Sequence, residues 1–361
     1  MMDALRIFRH GYQAGEEFPC RLLVDMPNWL GDLMMALPAT DRLVRANSSG
    51  STILHVRPSS ARLIAALYPE ADVIATPRRQ GALRVSRKIV NRGGRADIGV
   101  TMRNASRAKI VLRVAARWSA GTRNQGGRIL LSWSHRVGGD RHQIHDADSV
   151  LRQLGLPIVD AGWRAILPEV LRPIGREALE RVGIGNRKGL IGLAPGVAWG
   201  GSAKRWPQES FGLLAKRLRA RGFSPVVIVG PGEEGLAADV VAASGLDLPV
   251  LGTDLDVAGI ASVLCLMDAM VGNDSGPAHT AAIFGIPALA LFGPTEALRT
   301  APVGHSEAAM TLGLECSPCH RLQCPLGHRN CMRDLDPEAV AERLVGLLER
   351  EQQPIRRVVH A

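Results

Sequence analysis

The segment Val271-Gly-Asn-Asp-Ser-Gly-Pro-Ala-His279, continuing to Ile286-Pro-Ala-Leu-Ala-Leu-Phe-Gly-Pro294, constrains the fold more than any other part of the 361-residue chain. It reads as a buried strand, a tight turn, a short helix and a second buried strand. Strands joined in this way lie parallel in a sheet whose faces are covered by helices. The turn sets an acid, a hydroxyl, a glycine and a histidine at the mouth of a helix, where free backbone N–H groups attract anions.

The same alternation recurs along the chain. Arg21–Met26 is a short buried strand, Pro27–Gly31 a loop, and Asp32 opens a helix carrying Leu33, Ala36, Leu37 and Leu43, which Pro38 should bend. Strands are predicted at 51–56, 71–75, 96–100 and 117–121, with helices at 60–68 and 106–116. The segment Gln125–Arg141, rich in Gly and Arg, reads as loop, and Gln143–Leu154 as helix. Pro157, Pro168 and Pro173 then punctuate the chain, and a domain boundary is expected near 170–188. The second half restarts with a strand at 189–194, the loop Pro195–Trp206, and a helix whose first turn accommodates Pro207. Phe211, Leu214, Ala215 and Leu218 give that helix its apolar stripe. A strand at 225–229, a helix at 257–266 and a last amphipathic helix at 336–351 complete the pattern. The expectation is an α/β protein of two Rossmann-like doubly wound domains, residues 20–175 and 185–348, facing each other across a cleft. A loose extension (1–19) and a polar tail (349–361) flank them.

Composition narrows the partners. Apolar residues make up 46% of the chain and aromatics only 4%, which disfavours a base-stacking surface. The formal net charge of +10 suits nucleic acid, an anionic membrane face or acidic small molecules, and arginine is densest between Arg78 and Arg141. No apolar run reaches the roughly 18 residues of a membrane span, and residues 1–18 lack an apolar signal core. A cytoplasmic protein with six reduced cysteines is expected. Neither half carries GxGxxG after its first strand, and GxxxxGK[ST] is absent, so dehydrogenase and P-loop readings recede.

Each candidate site residue has a plain reading and a chemical one. In the loop 195–206, Gly196, Gly200 and Gly201 allow close backbone approach, Ser202 offers a hydrogen bond and Lys204 a point charge, as a diphosphate cradle would need. An ordinary glycine loop with a solvated Lys-Arg pair is the plain alternative. At the helix mouth, Ser275 or Gly276 can cap the helix or face phosphate. A carboxylate in contact with phosphate would repel it, so Asp274 suits sugar or ribose hydroxyls, unless it merely forms the turn. His279 is either a satisfied polar group or a further phosphate donor. Asp32 is either a helix cap or, at the carboxyl end of the first strand, the base that takes a proton from an acceptor hydroxyl. Cys316, Cys319, Cys324 and Cys331, with His320 and His328 among them, are a candidate structural metal site, reduced thiols or a local disulfide.

Taken together, Pro27-Asn-Trp-Leu-Gly-Asp-Leu-Met-Met, the block from Pro195 to Pro207, Asn273–His279 with Leu291-Phe-Gly-Pro-Thr295, and Glu315-Cys-Ser-Pro-Cys319 resemble glycosyltransferase family 9, the ADP-heptose:lipopolysaccharide heptosyltransferases, over roughly residues 20–348. Within it the cysteine block points to the heptosyltransferase II branch. The resemblance implies a GT-B fold and inverting transfer from an ADP-heptose donor, with no cofactor and no catalytic metal. It implies an anionic glycolipid acceptor at the cytoplasmic face of the inner membrane, and no nucleic acid. Carried over by position, Asp32 is the base and Lys204 stabilises the leaving diphosphate. Ser275, Gly276 and His279 then hold phosphates, Asp274 the sugar side, and Glu233, beside Glu234, the ribose. The chain departs from the family's phrase at Val197, Ala198 and Pro277. Two readings compete: a family 9 transferase with another nucleotide sugar or acceptor, and a basic nucleic-acid-binding protein with a four-cysteine metal loop.

Overall fold

The computed structural model describes residues 20–185, 187–197, 201–303 and 308–352. The expected N-terminal extension therefore lies outside the described residues, as do Ala198, Trp199 and Gly200 of the glycine loop and the tail from 353. The chain divides into two compact units, the first ending at Leu171 and the second beginning at Arg172.

The first unit runs β1 (Arg21–Asp25), α1 (Leu30–Ala46), β2 (Ser51–Val56), α2 (Pro58–Leu67), β3 (Asp72–Ala75), α3 (Ala82–Val90), β4 (Ala96–Thr101), α4 (Ser106–Ala115), β5 (Ala116–Thr122), α5 (Gly127–Leu130), β6 (Trp133–His135) and α6 (Asp148–Gln153). Its six strands lie in the order β3-β2-β1-β4-β5-β6, parallel at every pairing. Right-handed crossovers put α1 and α2 on one face and α3 and α4 on the other. Under α3 and α4, Leu23, Ile53, Val85, Ile89, Val111 and Leu112 form a buried cluster.

The second unit runs α7 (Arg172–Arg181), β7 (Leu190–Ala194), α8 (Gln208–Ala220), β8 (Ser224–Ile228), α9 (Glu234–Ser244), β9 (Val250–Leu251), α10 (Val257–Leu264), β10 (Ala269–Asn273), α11 (Gly276–Ile283), β11 (Ala288–Leu291), α12 (Ala297–Thr300), β12 (Ala309–Met310), α13 (Asn330–Arg333) and α14 (Pro337–Gln352). The parallel sheet has the order β12-β11-β10-β7-β8-β9. Its strands are apolar on both sides, and the period of two sorts them. Ile191, Leu193, Val271, Leu289 and Leu291 face a core built with Trp206 and Phe211, whereas Leu190, Met270, Ala288 and Ala290 face the opposite one with Phe292.

In each sheet the direction of winding reverses once, between β1 and β4 and between β7 and β10. Ligands of doubly wound sheets bind beyond the carboxyl ends of the strands at such a reversal. The loops singled out from the sequence follow β1, β7 and β10.

Several expectations shift. Helix α1 starts at Leu30 with Trp29 as its N-cap, so Asp32 sits inside the first turn and does not open the helix. The segment expected to be loop at 125–141 contains α5 and the edge strand β6, because Trp133–His135 pairs with Ala120–Thr122. The helix expected over 143–154 divides into a 3-10 turn at Gln143–His145 and α6. The chain divides before Arg172, and α7 belongs to the second unit, where Gly175 N–H donates to Ser262 Oγ at 2.9 Å. The last helix reaches Gln352, past the point where a polar tail was expected to begin.

Candidate functional site

In the second unit, Asn273 ends β10 fully buried and fixes the loop that leaves β7. Its Nδ2 donates to the Pro195 carbonyl at 2.8 Å, and its Oδ1 accepts from Trp206 N–H at 2.9 Å. One side chain thus ties both ends of the loop. Trp206 is itself fully buried and donates from Nε1 to Leu335 O at 3.1 Å.

The next residue, Asp274, is buried and collects three partners. Lys204 Nζ donates to its Oδ2 at 2.7 Å, Thr295 Oγ1 donates to the same oxygen at 2.8 Å, and His279 Nε2 lies 3.4 Å from Oδ1. Burial alone would raise the Asp274 pKa. The His279 bond and the Lys204 charge outweigh it and hold the carboxyl well below the usual carboxylate range. The structure therefore brings Lys204, Asp274 and His279 together, and adds Thr295.

Two polar atoms beside this network, Ser275 Oγ and His279 Nδ1, are buried and have no hydrogen-bond partner. Ser275 occupies the N-cap of α11 without a side-chain capping bond, so capping does not account for its hydroxyl. A buried polar atom left unpaired costs about 1–3 kcal/mol, so two of them at one helix mouth mark a place where a ligand would complete the bonding. With a proton on Nε2 only, His279 offers Nδ1 as an acceptor to a hydroxyl. A doubly protonated ring would offer a donor to phosphate.

Glu233 lies across the same strand ends. Its carboxylate accepts from Gly230 N–H at 2.9 Å and stands so close to Gly196 that a Cβ there would collide with it. Glu234 points outward, exposed, and accepts from Gly232 N–H at 3.1 Å. Ser202 is exposed on the 3-10 turn that carries Lys204, and its carbonyl accepts from Arg329 Nη1 at 3.1 Å. Gly201 enters that turn at φ 63°, against the Leu322 carbonyl, where a side chain would fit neither the backbone angle nor the space.

Leu322 and Arg329 belong to the cysteine segment, which thus buttresses the Lys204 turn. Cys316, Cys319, Cys324 and Cys331 line one cavity of about 20 Å³ and are free thiols. Among the described residues no group of three or more His, Cys, Asp or Glu side chains is placed to hold a metal ion. Backbone N–H groups from Arg329, Leu326, Gly327 and His328 pull the Cys324 pKa down, while burial and the other three sulfurs push that of Cys331 up.

In the first unit, Asp32 Oδ1 accepts from Gln143 Nε2 at 2.9 Å, just beyond the end of β1. Asn28 Oδ1, in the loop between β1 and α1, is buried without a partner. Beneath them lies a network that sequence reasoning missed. Asp25, fully buried, lies 2.6 Å from His55 Nδ1 and 3.2 Å from Arg103 Nη2, and accepts from Thr101 Oγ1 at 2.8 Å. Burial opposes its ionisation, but the Arg103 charge and these bonds more than offset that and lower its pKa. His55 Nε2 meets Thr76 Oγ1 at 2.7 Å, so the ends of β1 to β4 are tied. Around the network four guanidinium groups gather. Burial and the charges of Arg103, Arg107 and Arg78 bring the Arg57 pKa down to about 10. Arg78 also stands over the Trp29 ring, 5.2 Å from its centroid. The signal was a charged residue inside an apolar strand, Asp25, followed by arginine just past two other strands.

The family model described as Glycosyltransferase family 9 (heptosyltransferase) matches residues 83–329. A lipooligosaccharide heptosyltransferase 2 of Campylobacter jejuni is 26% identical, over 91% of this chain and 98% of its own length. A solved glycosyl transferase family 9 structure from Veillonella parvula superposes with a TM-score of 0.79 at 21% identity, covering 93% of this chain and 99% of that one. The ADP-heptose lipopolysaccharide heptosyltransferase II of Escherichia coli gives 0.74 at 20%, covering 92% and 99%. At these identities the solved structures show the fold alone, two α/β units of the GT-B class.

Proposed function

This chain belongs to glycosyltransferase family 9, and from that premise we propose that it moves heptose from ADP-L-glycero-D-manno-heptose to the inner core of lipopolysaccharide or lipooligosaccharide. The observation that carries the reading is the helix mouth of α11, where Lys204, Asp274 and His279 meet and two buried polar atoms, Ser275 Oγ and His279 Nδ1, are unpartnered. The donor's nucleotide end lies along the ends of β7 and β8, with Glu233 accepting from the ribose hydroxyls. Ser275 Oγ, the Gly276 N–H and Ser202 serve the diphosphate, together with His279 when its ring is doubly protonated. Asp274 Oδ1, which neither Lys204 nor Thr295 occupies and which takes only the longer 3.4 Å contact from His279, is the oxygen with room for a sugar hydroxyl.

The reaction inverts the anomeric centre. Asp32 takes the proton of the acceptor hydroxyl, whose oxygen attacks the anomeric carbon. The bond from that carbon to the diphosphate breaks, and ADP departs with the electron pair. Lys204 stabilises the charge that grows on the diphosphate oxygens, the kind of contact that is stronger in the transition state than in the ground state. Asp274 and Thr295 hold Lys204 in place for this. The donor is the substrate, and no cofactor enters the scheme.

The guanidinium groups of Arg57, Arg78, Arg103 and Arg107 support an anionic acceptor on the first unit. No helix among the described residues is long and apolar enough to cross a membrane, and the proposal places the enzyme peripherally at the cytoplasmic membrane face. Incubation with ADP-heptose and a heptose-bearing core acceptor should release ADP in step with product. Release no faster than in a control without acceptor would overturn the proposal, and a thermal-shift panel of other nucleotide sugars would then identify the donor.

A further inference from the structure

Positive charge is not spread evenly over this chain. Between Pro77 and Arg117 there are ten arginines, two lysines and one aspartate, an excess that accounts for the whole chain's net charge of +10. The stretch comprises the residues leading into α3, then α3, β4 and α4. Because α3 and α4 pack side by side on one face of the sheet, their outer sides form one surface.

The sequence of α3, Ala82-Leu-Arg-Val-Ser-Arg-Lys-Ile-Val90, divides cleanly. Val85 and Ile89 are buried in the core, and Leu83, Arg84, Arg87 and Lys88 are exposed. Helix α4 repeats the division: Val111 and Leu112 face inward, while Ile110, Arg113 and Val114 face out. Next to α4, α5 exposes Arg128 and Ile129, the latter to 85%. Arg84, Arg87 and Arg113 form no side-chain ion pair among the described residues, and the single aspartate of the stretch, Asp97, lies 3.7 Å from Arg117. Four exposed aliphatic side chains, Leu83, Ile110, Val114 and Ile129, thus stand among unneutralised cations.

We propose that the outer face of α3, α4 and α5 is a docking surface for an anionic phospholipid bilayer. The cations meet lipid headgroups, and the four aliphatic side chains enter the headgroup–acyl boundary. A basic face alone would suit nucleic acid equally, but aliphatic side chains between the cations gain nothing from a phosphodiester backbone and gain apolar burial in a bilayer. The helices stay folded on the sheet while docking, because the residues that anchor them are different from those that meet lipid. This deepens the function proposed above by naming the face that meets the membrane. It rests on surface chemistry, and binding can be read apart from transfer.

The test is co-sedimentation of the full chain with vesicles. Phosphatidylcholine vesicles containing about 30% phosphatidylglycerol should retain the protein, and pure phosphatidylcholine should not. Binding should weaken steeply toward about 0.5 M salt. The triple variant Arg84→Glu/Arg87→Glu/Arg113→Glu should bind the anionic vesicles at least a hundredfold more weakly, since each charge near the surface is worth roughly fivefold in partition. Leu83→Ser/Val114→Ser should lower binding with charge unchanged. Both variants should melt like the parent and transfer normally to a water-soluble core fragment lacking acyl chains. Failure of the parent to bind anionic vesicles would overturn the proposal, as would triple-variant binding equal to the parent's. Tighter binding of a nucleic-acid duplex than of vesicles, lost in the same variant, would also overturn it. Loss of transfer to the soluble fragment with vesicle binding intact would count against the catalytic reading and leave the docking surface standing.

Discussion

At the scale of residues, the account turns on Asp274. Its carboxylate is buried, yet ionised, because Lys204, Thr295 and His279 supply partners. Asp274→Asn should leave the Lys204 ammonium without its counter-charge and destabilise the fold by about 2–4 kcal/mol, read as a drop in Tm. The pH dependence carries the sign. The carboxyl is held below its ordinary value in the folded state, so its contribution is complete above about pH 4 and disappears as pH falls below that. The gap in stability between parent and Asp274→Asn should therefore narrow on acidification. A constant gap would mean that Asp274 is not the anion of this network. The thiols make a separate prediction. Burial pushes Cys20 and Cys265 up to about 12, whereas backbone N–H groups lower Cys324. In the native protein at neutral pH, peptide mapping after alkylation should find Cys324 modified well before Cys20 and Cys265. Equal rates would show that the environments are not as described.

At the scale of elements, the loop between β7 and α8 is held by its ends. Asn273→Ala removes the bonds to Pro195 and Trp206 at once, leaving a buried carbonyl and a buried N–H unpaired. A loss of about 2–4 kcal/mol follows, along with a raised KM for the donor, because Lys204 and Gly196 ride on that loop. Gly196→Ala, which would push the Glu233 carboxylate away, should raise donor KM with little change in Tm. An unchanged KM in both variants would remove this loop from the donor site. Much of this level was legible in the sequence. The strands β1, β7, β8 and β10 and the turns after them stood out because buried parallel strands are continuous apolar runs bounded by glycine and proline. The clamp by Asn273 was not legible, since an Asn before Asp-Ser-Gly reads equally as a turn residue. The Asp25–His55 pairing joins residues on neighbouring strands, and only the register of Asp25 beside His55 brings them together. The edge strand β6 was masked by arginines and glycines, its pairing being tertiary in origin.

At the scale of the whole molecule, each unit is a doubly wound sheet with polar chemistry at its reversal point. The second presents a buried acid–lysine pair beside two unpartnered polar atoms, which the proposed reading gives to a diphosphate sugar. The first presents Asp32 and an arginine cluster, which the proposed reading gives to an acidic acceptor. The central claim is that the first unit supplies the base and the second the diphosphate contacts, so the two functions should separate under mutation. The direct measurement is heptosyl transfer by Asp32→Asn and Lys204→Ala, with ADP-heptose affinity measured in parallel by calorimetry. The account predicts that Asp32→Asn lowers kcat by about a hundredfold or more while donor affinity stays near the parent's. Lys204→Ala should lose both affinity and turnover, the latter by about a hundredfold. Near-parent turnover in Asp32→Asn, or unchanged donor affinity in Lys204→Ala, would contradict it.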